Sequence, residues 1–238
     1  TRYGTVTGVQ TCALPISLAA AIEPFVRPVP GRLRLGLAAY SLRQHLAPVP
    51  AEPHRIDLAG FVDYCHEQRV AGAELTSYYF PPDIDDAGIF ALRRHCLLRG
   101  ITVTGGAVRN DFCNPAAVAA SLEHVRLWID RYALLGAPVI RIFAGEPVPG
   151  EPLGVTLDRC AAACTEACRH AADRGIVLAL ENHCGVTARA EDLLEIVRRV
   201  DSRAFGINLD SGNFTDCDDP YTELAKIAPY AVNAQVKV

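Results

Sequence analysis

Short apolar runs alternate with longer segments of helical periodicity along most of this chain, and that alternation restricts its fold more than any other feature. Strand-like runs are read at Leu33–Tyr40, Gly72–Leu75, Ile101–Gly105, Val139–Ala144, Ile176–Glu181, Phe205–Asp210 and Val232–Val238. Between them, near Leu58–Arg69, Asp86–Arg99, Pro115–Leu135, Leu157–Arg174, Ala190–Val200 and Tyr221–Ala228, apolar residues recur at three- and four-residue intervals. That spacing gives a helix one buried face. Gly100, Gly136 and Gly175 stand where helices should stop, and Pro115 and Asp219–Pro220 where helices could start. Strict alternation with right-handed crossovers leaves two architectures, an open doubly wound sheet or a closed (β/α)8 barrel.

The first strand-to-helix turn, AAYSLRQHLAPVP, has neither a GxGxxG pattern nor a phosphate-loop lysine, so the open nucleotide-binding sheet loses ground. Polar or charged residues instead close nearly every strand: Ser41, Glu74, Asn110, Arg141, Glu181, Asp210 and Gln235 with Lys237. A site fed by many strand ends is the habit of a barrel, and 238 residues are close to the roughly 250 that a barrel takes.

Glu181 and Asp210 lie 29 residues apart, the length of one helix and the next strand, which places both at one rim. Two carboxylates on one rim repel and push one pKa upward unless a cation lies between them, so a metal is the economical explanation. The alternatives are that each caps the following helix or pairs with an interior arginine. Arg141 should face the interior and pair with Glu74 or Glu181, while Glu74 positions either substrate or Arg141. His183 contacts substrate or stands behind those that do. Tyr78, Tyr79 and Phe80 form an aromatic loop that walls a sugar pocket or simply packs.

The formal charge is −4 with a pI near 6.0, and no cluster of Lys and Arg offers a footprint for nucleic acid. No run of about 18 apolar residues suggests a membrane span. Nine cysteines are read as mostly reduced, and Cys160, Cys164 and Cys168, four residues apart, as a small apolar helix face rather than a metal or redox site. Val6 to Ile16, VTGVQTCALPI, resembles a translated sequencing adapter, so the natural sequence is expected to begin near Ser17. The stretch SLAAAIEPFVRPVPG is either a signal-peptide remnant or a plain lead-in. A cytoplasmic location is expected, with export the alternative if the signal reading holds.

The strings LGLAAYSLR, GAELTS, GAPVIRIFAG, LALENHCG, GINLDSGNF and NAQVKV, in this order, resemble successive strands of the xylose-isomerase-like TIM barrels, the sugar phosphate isomerase/epimerase superfamily. The resemblance runs from Arg32 to the last residue. It implies a barrel domain over 32–238, with 1–31 a non-native scar plus lead-in or signal remnant. The fold is then α/β, an incomplete (β/α)8 TIM barrel with seven strands present and strand 8 missing.

The same resemblance implies that Glu181 and Asp210 bind a divalent metal, Mn²⁺ or Mg²⁺, and that Gln235 stands where the family commonly has a histidine ligand. Asn213 likewise replaces a substrate-facing histidine. Glu181 is expected as the catalytic acid/base, with Glu74, Arg141, Asn182, His183, Asn213 and Lys237 orienting substrate. The implied reaction is isomerisation or epimerisation of a sugar or sugar phosphate, by proton abstraction α to a carbonyl through a metal-bound enediolate. A polyol dehydratase or other lyase on the same barrel and a catalytically inactive binding protein are the alternatives; an apurinic endonuclease is disfavoured by the acidic charge. The partner is a small sugar, not nucleic acid or membrane, and a homo-oligomer is left open. The family's further glutamate on strand 8 is not in this sequence, so the fragment itself is expected to be poorly soluble and inactive.

Overall fold

The computed structural model describes residues 22–26, 35–47 and 55–237. The expected scar and most of the lead-in, the first two residues of the Leu33–Tyr40 run and Val238 lie outside the described residues.

Seven strands alternate with six helices: β1 Gly36–Ala38, α1 Leu58–Glu67, β2 Gly72–Thr76, α2 Asp86–Arg99, β3 Thr102–Ala107, α3 Val118–Leu135, β4 Val139–Ile142, α4 Leu153–Asp173, β5 Val177–Glu181, α5 Ala190–Arg199, β6 Phe205–Asp210, α6 Pro220–Ile227 and β7 Ala231–Gln235. Every strand pairs in parallel with the next in sequence order, the topology of a β/α barrel. Among the described residues no β1–β7 pairing closes the sheet, so the fold is an incomplete TIM barrel. The sheet is nevertheless strongly curled, because Gln235 on β7 reaches Glu74 on β2 across the interior, Nε2 donating to Oε2 at 2.7 Å.

Local chemistry sets the helix boundaries. Asp57, Asp85 and Asp219 each accept a backbone N–H at a helix start. Gly100 and Gly136 end α2 and α3 in the left-handed region, at φ of 67° and 90°, which a side chain would disfavour. Some bounds differ from those read in the sequence. Helix α3 starts at Val118 rather than Pro115, because Asn114 ties residues 116–118 into a turn of their own. Helix α4 begins earlier than expected, at Leu153 behind Pro152. The first strand shortens to Gly36–Ala38, since Ala39–Leu42 coils into a 3-10 turn.

The core lies between sheet and helices, and one aromatic shows how closely they fit. Tyr132 of α3 is fully buried; its hydroxyl donates to the Leu75 carbonyl at 2.5 Å and accepts from the Ala107 N–H at 3.2 Å. It enters where the β2–β3 register shifts, beside Gly106, whose added Cβ would lie 2.2 Å from the ring. Trp128, one turn earlier, meets Phe80 edge-on at 5.0 Å and Tyr132 at a tilt at 5.3 Å, and so anchors the loop after β2.

Cys160, Cys164 and Cys168 face inward among Ala161, Ala167 and Ala171, the apolar face that the sequence suggested. Burial pushes the Cys168 thiol up to about 12, far from the thiolate that a metal or redox role needs. No helix among the described residues is long and apolar enough to cross a membrane.

Candidate active site

The C-terminal strand ends bring charged and amide side chains into the barrel mouth. Glu181 closes β5 and Asp210 closes β6, the two strands being hydrogen-bonded neighbours, and both carboxylates are buried, at 4 % and 0 % exposure. Each has a basic partner. Arg141, at 7 % exposure on β4, brings Nε to 2.9 Å from Glu181 Oε2, and Lys237 brings Nζ to 2.9 Å from Asp210 Oδ2. Both contacts are close in distance but poorly directed, so that neither Arg141 Nε nor Asp210 Oδ2 makes an aligned hydrogen bond.

Burial pushes the Glu181 carboxyl up to about 7; Arg141 pulls it back, and Asp210, as a like charge, adds to the rise. Asn213 Nδ2 donates to Glu181 Oε1 at 2.9 Å and to the Asn182 carbonyl at 2.8 Å, while its own Oδ1 accepts from Lys237 Nζ at 2.5 Å. Asn213 therefore joins the two ion pairs into one network.

Asn182 is fully buried, with both ends of its amide on the Asp210 backbone: Nδ2 donates to the carbonyl at 2.9 Å and Oδ1 accepts from the N–H at 2.7 Å. These contacts hold the second carboxylate in position. Gln235 is engaged elsewhere in the interior, its Oε1 accepting from Asn208 Nδ2 at 3.0 Å while its Nε2 donates to Glu74. Burial raises the Glu74 pKa, against the pull of Arg141. His183 is half-buried at the rim, with its ring 4.7 Å from Phe143 and Nδ1 2.9 Å from Cys184 Sγ. Burial, then Lys237 and Arg141, lowers its pKa and favours neutral imidazole.

The structure thus gathers Glu181, Asp210, Arg141, Asn213 and Lys237 into one contact network, while Gln235 and Glu74 form a second one deeper in the barrel. Several members were not singled out in the sequence. Asn208 and Asn233 extend the deeper network, Asn233 Nδ2 donating to Asn208 Oδ1 at 2.8 Å. The available signal was period two: Asn208 precedes Asp210, and Asn233 precedes Gln235, by two positions on their strands. Phe143 lies beneath Arg141, with Cζ 3.9 Å from the ring centroid, and the Tyr78 hydroxyl lies 3.5 Å from both Arg141 terminal nitrogens.

Among the described residues no three His, Cys, Asp or Glu side chains converge as a metal cage. The Glu181 and Asp210 pair nevertheless fits a share of a divalent-cation site. It offers hard oxygen donors of like charge, and the buried Oδ2 of Asp210 lacks an aligned donor.

The family described as xylose isomerase-like TIM barrel matches residues 62–237. A search of curated proteins returns no match. Among solved structures, the chain resembles the probable 3-DHS dehydratase AsbF from Bacillus anthracis, with 18% identity over 85% of this chain and 72% of that one and a TM-score of 0.68. It also resembles a xylose isomerase-like TIM barrel protein from Mycobacterium smegmatis in complex with magnesium, with 19% identity over 86% and 74% and a TM-score of 0.68. A D-psicose 3-epimerase with D-tagatose from Clostridium cellulolyticum H10 gives 14% identity over 86% and 73%, again with a TM-score of 0.68. At these identities the likeness is one of fold.

Proposed function

The chain belongs to the xylose isomerase-like TIM barrel family, and from that premise we propose that it is built as a sugar isomerase or epimerase that moves a proton on the carbon beside a carbonyl. One observation carries the reading: two buried carboxylates, Glu181 and Asp210, close adjacent strands at the C-terminal rim, each against a basic side chain. Structures of the same fold include a D-psicose 3-epimerase and a 3-keto-D-glucoside 4-epimerase, which supports this class of chemistry.

Glu181 and Asp210 would hold the divalent cation, Mn²⁺ or Mg²⁺, with Gln235 as a third oxygen donor if its amide leaves Asn208 and Glu74. When bound, such a cation polarises a carbonyl oxygen and acidifies the neighbouring C–H. The protein's own groups do the rest. Glu181 takes the proton at Oε1 or Oε2, with Arg141 and Asn213 fixing the carboxyl from two sides. Lys237 stands at the mouth as a donor to substrate hydroxyls, and Asn213, its own amide protons committed to Glu181 and the Asn182 carbonyl, holds that ammonium in place. His183, neutral and beside Phe143, offers a further donor and an apolar wall.

The test is exchange. A panel of ketoses incubated in heavy water with the Mn²⁺-loaded protein should gain deuterium at the carbon beside the carbonyl, and Glu181→Gln should lose that gain. No deuterium from any sugar of the panel would sink the reading. Because a dehydratase of this fold is also a structural neighbour, a product that has lost water would reassign the chemistry to a lyase that begins with the same proton transfer. A protein that takes up no Mn²⁺ yet binds sugars without exchange would instead be a binding protein.

A further inference from the structure

An open cleft of about 940 Å³ borders the rim, and its lining includes neither Glu181 nor Asp210. Its walls combine the aromatic rings of Tyr78, Phe80 and Trp128 with the cationic side chains of Arg109 and Arg131 and with His124, whose pKa is lowered by burial and then by Arg131, which favours its neutral form. Each guanidinium lies against a ring: Arg109 Cζ is 5.1 Å from the Tyr78 centroid and Arg131 Cζ 5.0 Å from that of Trp128. Arg131 Nη2 donates to the Ile84 carbonyl at 2.9 Å, and among the described residues neither arginine makes a salt bridge to a carboxylate. Asp111 is the one acidic residue lining the cleft, and its Oδ1 already accepts from the N–H groups of Cys113 and Asn114 at 2.9 and 3.0 Å. The cleft therefore holds more positive than negative charge, on side chains whose orientation aromatic contact has already narrowed. Guanidinium forks so arranged suit planar or tetrahedral oxyanions, and prior ordering reduces the entropy lost on binding.

Two side chains in contact, Tyr78 and Arg141, separate the cleft from the carboxylate pair. Tyr78, one of its walls, has its hydroxyl 3.5 Å from the Arg141 terminal nitrogens, and Arg141 Nε lies 2.9 Å from Glu181. A molecule long enough to lie across the Tyr78–Arg141 contact would present its reacting end to Glu181 and its far end to the arginines.

We propose that this cleft takes an anionic oxygen group, a carboxylate or a phosphate, at the far end of the substrate, so that the substrate is an acidic sugar derivative and not a neutral ketose. The assignment rests on the reading of the rim given above. Trp128 is the only tryptophan of the chain and lies in the cleft wall, so its fluorescence reports occupancy without turnover.

The full chain, stripped of metal, is titrated with fructose 6-phosphate, glucuronate and fructose. At least one of the two acidic sugars should change Trp128 emission saturably, at least about tenfold more tightly than fructose, the size of one charge-assisted contact. Arg109→Gln should weaken that binding by a similar factor, and so should Arg131→Gln. Arg109 makes no described hydrogen bond, so its variant decides the matter if the Arg131 variant proves unstable by circular dichroism. Saturation by the phosphate or by the glucuronate alone assigns the anion, and saturation by both supports the shared chemistry. Equal affinity for fructose and its phosphate, no response to either acid, or unchanged binding in Arg109→Gln would overturn the proposal. The two readings fail separately: acid binding that depends on Arg109, with no deuterium exchange in the metal-loaded protein, removes the isomerase reading and leaves the cleft. Exchange of neutral ketoses with no preference for acids does the reverse.

Discussion

At the scale of single residues, Arg141 is the side chain on which the site most depends. It is buried, and its contacts fall on Glu181, the Val108 carbonyl, the Tyr78 hydroxyl and the Phe143 ring. Replacing it with methionine fills the space but leaves Glu181 as a buried carboxylate without its cation. At pH 8, above the raised Glu181 pKa of about 7, we expect Arg141→Met to cost about 3–5 kcal/mol in urea unfolding, the usual result of breaking one half of a buried pair, and less at pH 6, where the carboxyl is protonated. Adding Glu181→Gln should recover much of that loss, because no unpaired charge then remains. A single variant as stable as the parent would mean that the Glu181 contact carries no weight. Glu181 and Asp210 were legible as rim residues because each closes an apolar strand, but the sequence left open a metal, a helix cap or an interior arginine, and the structure places Glu181 against Arg141. Arg141, inside such a strand, could be placed in the interior. Tyr78 and Phe143 were not legible as its partners: Tyr78 meets Arg141 across 63 residues of sequence, a contact set by the curl of the sheet and not by any local pattern.

At the scale of elements, two asparagines do the same work at two places. Asn110, in the loop after β3, donates to the Phe143 carbonyl at 2.7 Å and accepts from its N–H at 2.8 Å, just as Asn182 after β5 does with Asp210. Each side chain continues a parallel ladder past the point where the backbones diverge, and so fixes a rim residue on the next strand. Asn182→Ala should leave the buried Asp210 backbone groups unsatisfied, costing about 1–3 kcal/mol in stability. It should also lower deuterium exchange, whereas Asn110→Ala should cost similar stability with a smaller effect on exchange. Between helices a second repeat appears. Asp63 of α1 accepts from His95 and Arg99 of α2, and Asp130 of α3 accepts from His170 of α4 and from Arg174 just past its end. Partial burial opposes ionisation of both aspartates, yet the hydrogen bonds from arginine and histidine hold their pKa values below 3.8. A depressed carboxyl stabilises the fold above its unfolded pKa and loses that contribution as pH falls through the folded one. The double variant Asp63→Asn, Asp130→Asn should therefore be destabilised at pH 6 by no more than about 1 kcal/mol per clamp, these being exposed pairs. The deficit should shrink as pH falls below 3.8, and also in high salt; a deficit that does not shrink with falling pH would assign it to packing. The alternation of these elements was readable because each buries one face with its own period. Their exact starts were not, since Asn114 builds a separate turn before α3 through hydrogen bonds that hydrophobic spacing does not encode.

At the scale of the whole molecule, the two polar networks of the barrel mouth tie distant parts of the chain together. Through Glu74 and Gln235, β2 meets β7; through Lys237, the segment after β7 meets Asp210 of β6. That curled arrangement follows from the parallel, in-order pairing of all seven strands, which the sequence alternation did foretell. Which amide would turn toward which carboxylate it did not, because Gln235 has partners on two different strands and its choice depends on the curvature of the sheet. The positive charge now beside Asp210 belongs to Lys237, a half-exposed side chain on a flexible stem. A divalent cation held by Glu181 and Asp210 must compete with that ammonium, so Lys237→Met should bind Mn²⁺ more tightly than the parent, whereas Asp210→Asn should bind it far more weakly. Metal that binds only the folded state stabilises the whole chain by mass action, about 2.7 kcal/mol at one hundred times the dissociation constant. Thermal unfolding of the stripped protein with increasing Mn²⁺ should thus show a rising midpoint in the parent and an earlier rise in Lys237→Met. In Asp210→Asn the midpoint should not move. Electron paramagnetic resonance of free Mn²⁺ would count the bound ions independently of any activity. A midpoint that rises equally in Asp210→Asn would place the metal outside the carboxylate pair and remove the reason for reading that pair as half of a metal site.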